Sequence, residues 1–169
     1  MKKIGLLFLV VLSVFLIAGC GSSASKGGSG KKSIFDTKKT MSCVKEEFDS
    51  DGYKTISNYL ITYTSKKVTK VDTEQIMEMD PEIIDWVYSF GYDLIENMNL
   101  LDGIEASYTK SGYNTITMKL SAEYDKIDQE QIKEVLGALN DGEVDNFYTR
   151  TNITIDEFVS EYLEGYTCK

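Results

Sequence analysis

Apolar and polar residues alternate with a period of two over several stretches of the chain, and recur near every third or fourth position over others. Residues 41–48 and 53–63 read as strands joined by Ser50-Asp51-Gly52, a hairpin turn in which Gly supplies the positive φ. Tyr59, Ile61 and Tyr63 share one face of the second strand. A third strand is expected over about 67–77, after the Ser65-Lys66 turn, although its alternation is poor. Residues 104–110 and 113–124 form the most legible hairpin, turning at Ser111-Gly112. Ile104, Ala106 and Tyr108 lie on one face of its first strand. Ile116, Met118, Leu120 and Ala122 take one face of its second, and Thr115, Thr117, Lys119 and Ser121 the other. One side buried and one side wet is the pattern of an antiparallel sheet covered on a single face.

Helical spacing takes over between and after these strands. Asp80-Pro81 opens a helix, with Asp80 as N-cap, Pro81 at the first helical position and Met79/Ile84 as a hydrophobic staple. Ile84, Val87, Tyr88, Gly91, Leu94, Ile95 and Met98 make its apolar stripe, so it runs to about Asn99 and packs on the sheet. Asp128 caps a second helix with an Ile127/Ile132 staple, ended by Asn140-Asp141-Gly142. Thr154 and Glu157 form a capping box for a third, which should end near Gly165. The order β-β-β-α-β-β-α-α predicts an α+β domain: an antiparallel sheet of about five strands with two or three helices on one face.

The start of the chain is different. Met1-Lys2-Lys3 is positive, residues 4–17 are apolar except for Gly5 and Ser13, and Ala18-Gly19-Cys20 follows. These are the parts of a secretory signal. Fourteen helical residues rise about 21 Å, short of the ~30 Å hydrocarbon core, which disfavours a permanent membrane span. Ile17-Ala18-Gly19-Cys20 resembles the lipobox of bacterial lipoproteins. The resemblance implies that residues 1–19 are removed and that Cys20 carries a diacylglycerol, holding the chain to the outer-facing surface of a bacterial cell membrane. The competing reading is an ordinary signal peptide that happens to end in Cys.

Residues 20–39 read as a tether. The stretch GSSASKGGSGKKS is rich in Gly and Ser, lacks apolar periodicity, and bears Lys26, Lys31 and Lys32, with Lys38 and Lys39 just beyond. The domain at 40–169 holds 11 Lys+Arg against 26 Asp+Glu, a formal charge of −15, so a basic tether precedes an acidic domain. With the whole chain at −9, nucleic acid is excluded as a partner, because a phosphate backbone needs a basic surface. Lipid on Cys20 leaves Cys43 and Cys168, and an even pair in an exported domain reads as one disulfide, with two free thiols as the alternative.

The stretch from Asn99 to Tyr108, NLLDGIEASY, followed by Asn114-Thr115-Ile116-Thr117-Met118, resembles the YehR-like lipoproteins, a family defined by a domain of unknown function. In that family a helix leads into a Gly-Val-Glu-type strand, a turn and a second alternating strand. Lipobox, short polar tether and β-rich start agree in order. The resemblance covers most of 41–139 and implies fold and anchoring but no catalytic residues. The helix at 154–165, Cys168 and its partner Cys43 depart from it.

The remaining chemistry is sparse. There is no His, which removes Ser-His-Asp and Cys-His nucleophiles and His-ligated metals. Asp49-Ser50-Asp51-Gly52 and residues 140–145 echo the opening of a calcium loop without its spacing, and acidic turns account for both. Gly27-Gly28-Ser29-Gly30 lacks the strand and helix of a phosphate loop. Asn152-Ile153-Thr154 matches a glycosylation triplet, but Thr154 has a helix to cap. Tyr53, Tyr59, Tyr63, Tyr108, Tyr113 and Tyr124 fall on expected strands, where sheet packing explains most of them. No cofactor, metal or catalytic residue is expected. Two functions stay open: a non-catalytic binding or accessory module of the envelope, its acidic surface suited to a cationic peptide or envelope protein, and a small hydrolase using carboxylates or a Ser-Lys pair.

Overall fold

A computed structural model describes residues 37–128, 130–132 and 150–169. In chain order these form β1 (Lys39–Phe48), β2 (Lys54–Tyr63), β3 (Val68–Glu78), α1 (Ile84–Met98), β4 (Ile104–Ser111), β5 (Thr115–Glu123), α2 (Ile155–Tyr162) and β6 (Thr167–Cys168). One sheet holds all six strands in the order β4-β5-β3-β2-β1-β6, each pair of neighbours antiparallel. The α+β expectation holds, with a short C-terminal strand beyond the expected five. The leader, Cys20, the tether up to residue 36 and the end of the helix opening at Asp128 lie outside the described residues, and Lys39, the last residue assigned to the tether, already belongs to β1. Of that helix, 130–132 is helical, the Asp128 carboxylate accepts from the Glu130 N–H at 2.9 Å, and Ile132 is buried.

Strand register explains the core. Cross-strand pairing aligns Ile61, Val71, Ala122 and Ile104 in one row, and Met77 and Ile116 in another, all facing the helices and all buried. The poor alternation of β3 has a physical cause. Its helix-facing side includes Thr73 and Gln75, both buried, and the Gln75 amide donates to the Ser57 hydroxyl at 3.2 Å. A polar pair spanning β2 and β3 thus stands where the pattern calls for apolar residues.

α1 covers β4 and β5 on this face. Its Gly91 is buried against the ring of Tyr108, which also stacks on Tyr88 with centroids 5.3 Å apart. The regular helix begins later than Asp80-Pro81 implied. The Asp80 carboxylate accepts from the Glu82 N–H at 2.8 Å, and its carbonyl accepts from both Ile83 and Ile84, closing a turn over 81–83 that leads into α1. Both staple residues, Met79 and Ile84, are buried as the pattern requires. α2 starts with the expected capping box, Thr154 accepting from the Glu157 N–H while the Glu157 side chain accepts from Thr154. It stops at Tyr162 rather than near 165, because the chain must reverse. Gly165, at φ +80°, makes that reversal and sends residues 167–169 back along β1.

Each edge of the sheet is covered over a short stretch. On β4 the Asn99 carboxamide stands in for a strand residue: it donates to the Ala106 carbonyl at 2.9 Å and accepts from the Ala106 N–H at 2.7 Å. On β1, Ser42 exchanges both backbone hydrogen bonds with Lys169, at 3.1 and 2.9 Å. Cys43 and Cys168 face each other in that pairing and are joined by a disulfide, with Cα atoms 4.0 Å apart. Exposed strand edges invite pairing with other chains, and these contacts cover each edge at one point, Ala106 on β4 and residues 42–44 on β1.

Candidate functional site: the open face of the sheet

The face turned away from the helices forms a shallow groove of about 670 Å³. Strand alternation builds it. Ser42, Leu60, Asp72, Ser121 and Glu105 align across five strands, and Asn58, Glu74, Lys119 and Ser107 form the next row. Each side chain is there because its neighbours in sequence point into the core, so the outward residues had no burial requirement to meet. Leu60 and Val44 nevertheless leave 45% and 41% of their surface exposed on this face, an apolar strip beside the charges.

Three carboxylates and one ammonium dominate the groove. Lys119 Nζ lies 2.9 Å from Glu74 Oε1, and the Asn58 amide donates to Glu74 Oε2 at 3.3 Å. The Lys119 hydrogen bond, aided by its charge and by Asn58, holds the Glu74 carboxyl below the usual carboxylate range against an opposing desolvation penalty. Asp72 pairs at 2.8 Å with Lys70 at the rim. Glu105 forms no ion pair among the described residues. The groove is therefore a negatively charged, partly apolar surface that can seat an extended ligand bearing positive charge.

Tyr59 borders it, but no tyrosine ring is displayed across it among the described lining residues. Tyr59, Tyr108 and Tyr124 are buried on the helix side, and Tyr53, Tyr113 and Tyr124 fall just off the strand ends rather than within them. Burial pushes the Tyr108 phenol up to about 12, and raises those of Tyr59 and Tyr124 as well. Asp49 of the first acidic turn is engaged locally, its carboxylate accepting from the N–H groups of Asp51 and Tyr53 at 2.9 and 2.8 Å. Residues 140–145 are not among the described ones. Ser107 stands directly opposite Lys119, the nearest approach to a Ser-Lys pair on this face. Such a base needs a lysine desolvated or beside another cation, whereas Lys119 is 61% exposed and against a carboxylate. The Asn58–Glu74–Lys119 cluster was missed in the sequence. Its only signal was the outward phase of β2, β3 and β5, and the cluster forms only because β5 lies next to β3.

No protein-family model matches the chain, and no curated protein does. Two solved structures share its fold. One is an NMR structure of a protein from Streptococcus pneumoniae TIGR4, 14% identical, with a TM-score of 0.50 over 90% of this chain and 97% of that one. The other is the NMR structure of the YehR protein of E. coli, 14% identical, with a TM-score of 0.53 over 80% of this chain and 93% of that one. The chain thus has an open-sheet α+β architecture, and its fold is similar to that of YehR.

Proposed function

We propose that the protein is a lipid-anchored, extracytoplasmic binding or accessory module of the bacterial envelope that takes a cationic partner on the open face of its sheet. Cys20, after the small residues Ala18 and Gly19, is the anchor point. The observation that carries the binding reading is the groove, with Asp72, Glu74 and Glu105 against Lys119 and the rim lysine Lys70, and exposed Leu60 beside them. Carboxylate pairs of this kind recognise ammonium and guanidinium groups through charge-assisted hydrogen bonds, and steer them by a field that salt screens.

The test is a titration of the mature chain with a lysine-rich peptide, followed by backbone amide shifts. Shifts should cluster at Leu60, Asp72, Ser121 and Glu105, weaken in 0.5 M salt, and weaken in the Asp72→Asn/Glu105→Gln variant. Shifts scattered over the whole acidic surface, unchanged in that variant, would defeat the reading. Cys20→Ala separately tests the anchor: the protein should leave the membrane fraction or remain an unprocessed precursor. The exposure of Lys119 and its pairing with Glu74 count against the hydrolase alternative, and Ser107 labelled by a serine-reactive phosphonate would establish it over the binding reading.

A further inference from the structure

We infer that the groove has an occupant within the chain itself: residues 31–38, KKSIFDTK, immediately before β1. The inference rests on the groove being a site for cationic segments. Three features match. The first is charge. Lys31, Lys32 and Lys38, less Asp36, give the segment a net charge of +2 against a groove whose carboxylates outnumber its lysine. The second is apolarity. Ile34 and Phe35 interrupt an otherwise polar tether, and the groove face exposes Leu60 and Val44. A tether that serves only as a spacer has no use for either side chain, and both have an apolar strip to cover here.

The third is reach. The segment joins the sheet at Lys39, and Ser42, at the near end of the groove, lies three residues further along β1. That is roughly 10 Å along the strand, and four strand spacings carry the groove another ~19 Å across to Glu105 on β4. The segment precedes Lys39 and must turn back to cross the face; with about two residues in that turn, six extended residues cover about 20 Å, enough for the roughly 17 Å to Leu60, Asp72 and Ser121 but not for Glu105. A segment joined to its site over a span its length matches acts at an effective concentration in the millimolar range. Weak individual contacts then suffice for it to compete with any partner arriving from solution. The segment is a built-in competitor, and a cationic partner must displace it.

The experiment uses the chain from residue 20 with Cys20→Ser, to keep it in solution. Amide spectra are compared between that chain and the same chain carrying K31S, K32S, I34S and F35S. The inference expects amide shifts at Leu60, Asp72 and Ser121, abolished in 0.5 M salt and independent of protein concentration. It also expects the lysine-rich peptide to bind the variant about twofold or more tighter, because a millimolar competitor has been removed. Unchanged groove amides with unchanged peptide affinity would overturn it and leave the groove reading intact. Concentration-dependent shifts would assign the contact to a second copy and overturn it too. Groove shifts without any peptide binding would support the inner contact while defeating the external cationic partner. Neither shifts nor binding would sink both.

Discussion

Replacing Gly91 by Ala sets two opposed effects against each other, and the structure decides between them. Gly91 lies mid-helix in α1, where Ala gains about 1 kcal/mol of helix propensity. A methyl group there would sit 2.6 Å from Cε1 and Cζ of Tyr108 and 2.8 Å from its hydroxyl. Carbon atoms in contact prefer about 3.5–4.0 Å, so the ring must retreat by about 1 Å. It has little room, because it is buried and stacked on Tyr88 at an interplanar angle of 10°. Overpacking of this kind costs about 1–3 kcal/mol, and a pinned ring belongs at the upper end. The net expectation is a loss of about 2 kcal/mol, a fall in Tm of about 7 °C for a domain of this size. Urea and thermal unfolding followed by circular dichroism measure it. In a Tyr108→Leu background the clash is gone, and Gly91→Ala should become neutral or stabilising, a coupling of about 2–3 kcal/mol in the double-mutant cycle. If Gly91→Ala raises Tm with Tyr108 intact, the close approach does not exist in solution.

Three further outcomes follow from the structure. The Cys43→Ser/Cys168→Ser variant should lose about 3–5 kcal/mol in denaturant unfolding, since the chain-entropy model gives about 5 for a closed loop of 125 residues, and a loss under 1 would contradict that account. Asn99→Ala removes two hydrogen bonds from Ala106 and should cost about 2 kcal/mol while speeding hydrogen exchange at the Ala106 amide, so unchanged protection there would show that the edge is not held by Asn99. Burial raises the Tyr59, Tyr108 and Tyr124 phenols in the folded state, so their stabilising contribution is complete below the ordinary value near 10 and is lost as pH rises toward about 12 and beyond. Absorbance at 295 nm should therefore show a set of tyrosines ionising together with unfolding, and independent titration of every tyrosine in a still-folded protein would refute this.

Local pattern made β1, β2, β4, β5 and the Thr154–Glu157 capping box legible, because one buried face imposes a strict period of two and a helix start imposes its own residues. The limits are equally physical. β3 was blurred by Thr73 and Gln75, whose burial depends on a partner, Ser57, in a different strand. The turn before α1 looked like its first turn, because Asp80 satisfies N–H groups equally well in either. β6 is two residues long and exists through its pairing with β1. The groove needs the sheet order, since Glu74 and Lys119 meet only when β5 inserts beside β3, and nothing local encodes that.

The bridge between Cys43 and Cys168 also changes what cutting the chain can do. It turns 126 of the 130 positions from Thr40 to Lys169 into a covalent ring. One protease cut inside that ring opens it without separating anything: both new ends stay bonded to the same molecule, and the sheet keeps its pieces. Proteases cut exposed turns, and 50–52 and 111–113 are such turns. Here such a nick yields a two-chain form of unchanged mass, apart from one added water, that comes apart only on reduction. Parting the whole ring from the residues that precede it requires a cut ahead of Cys43.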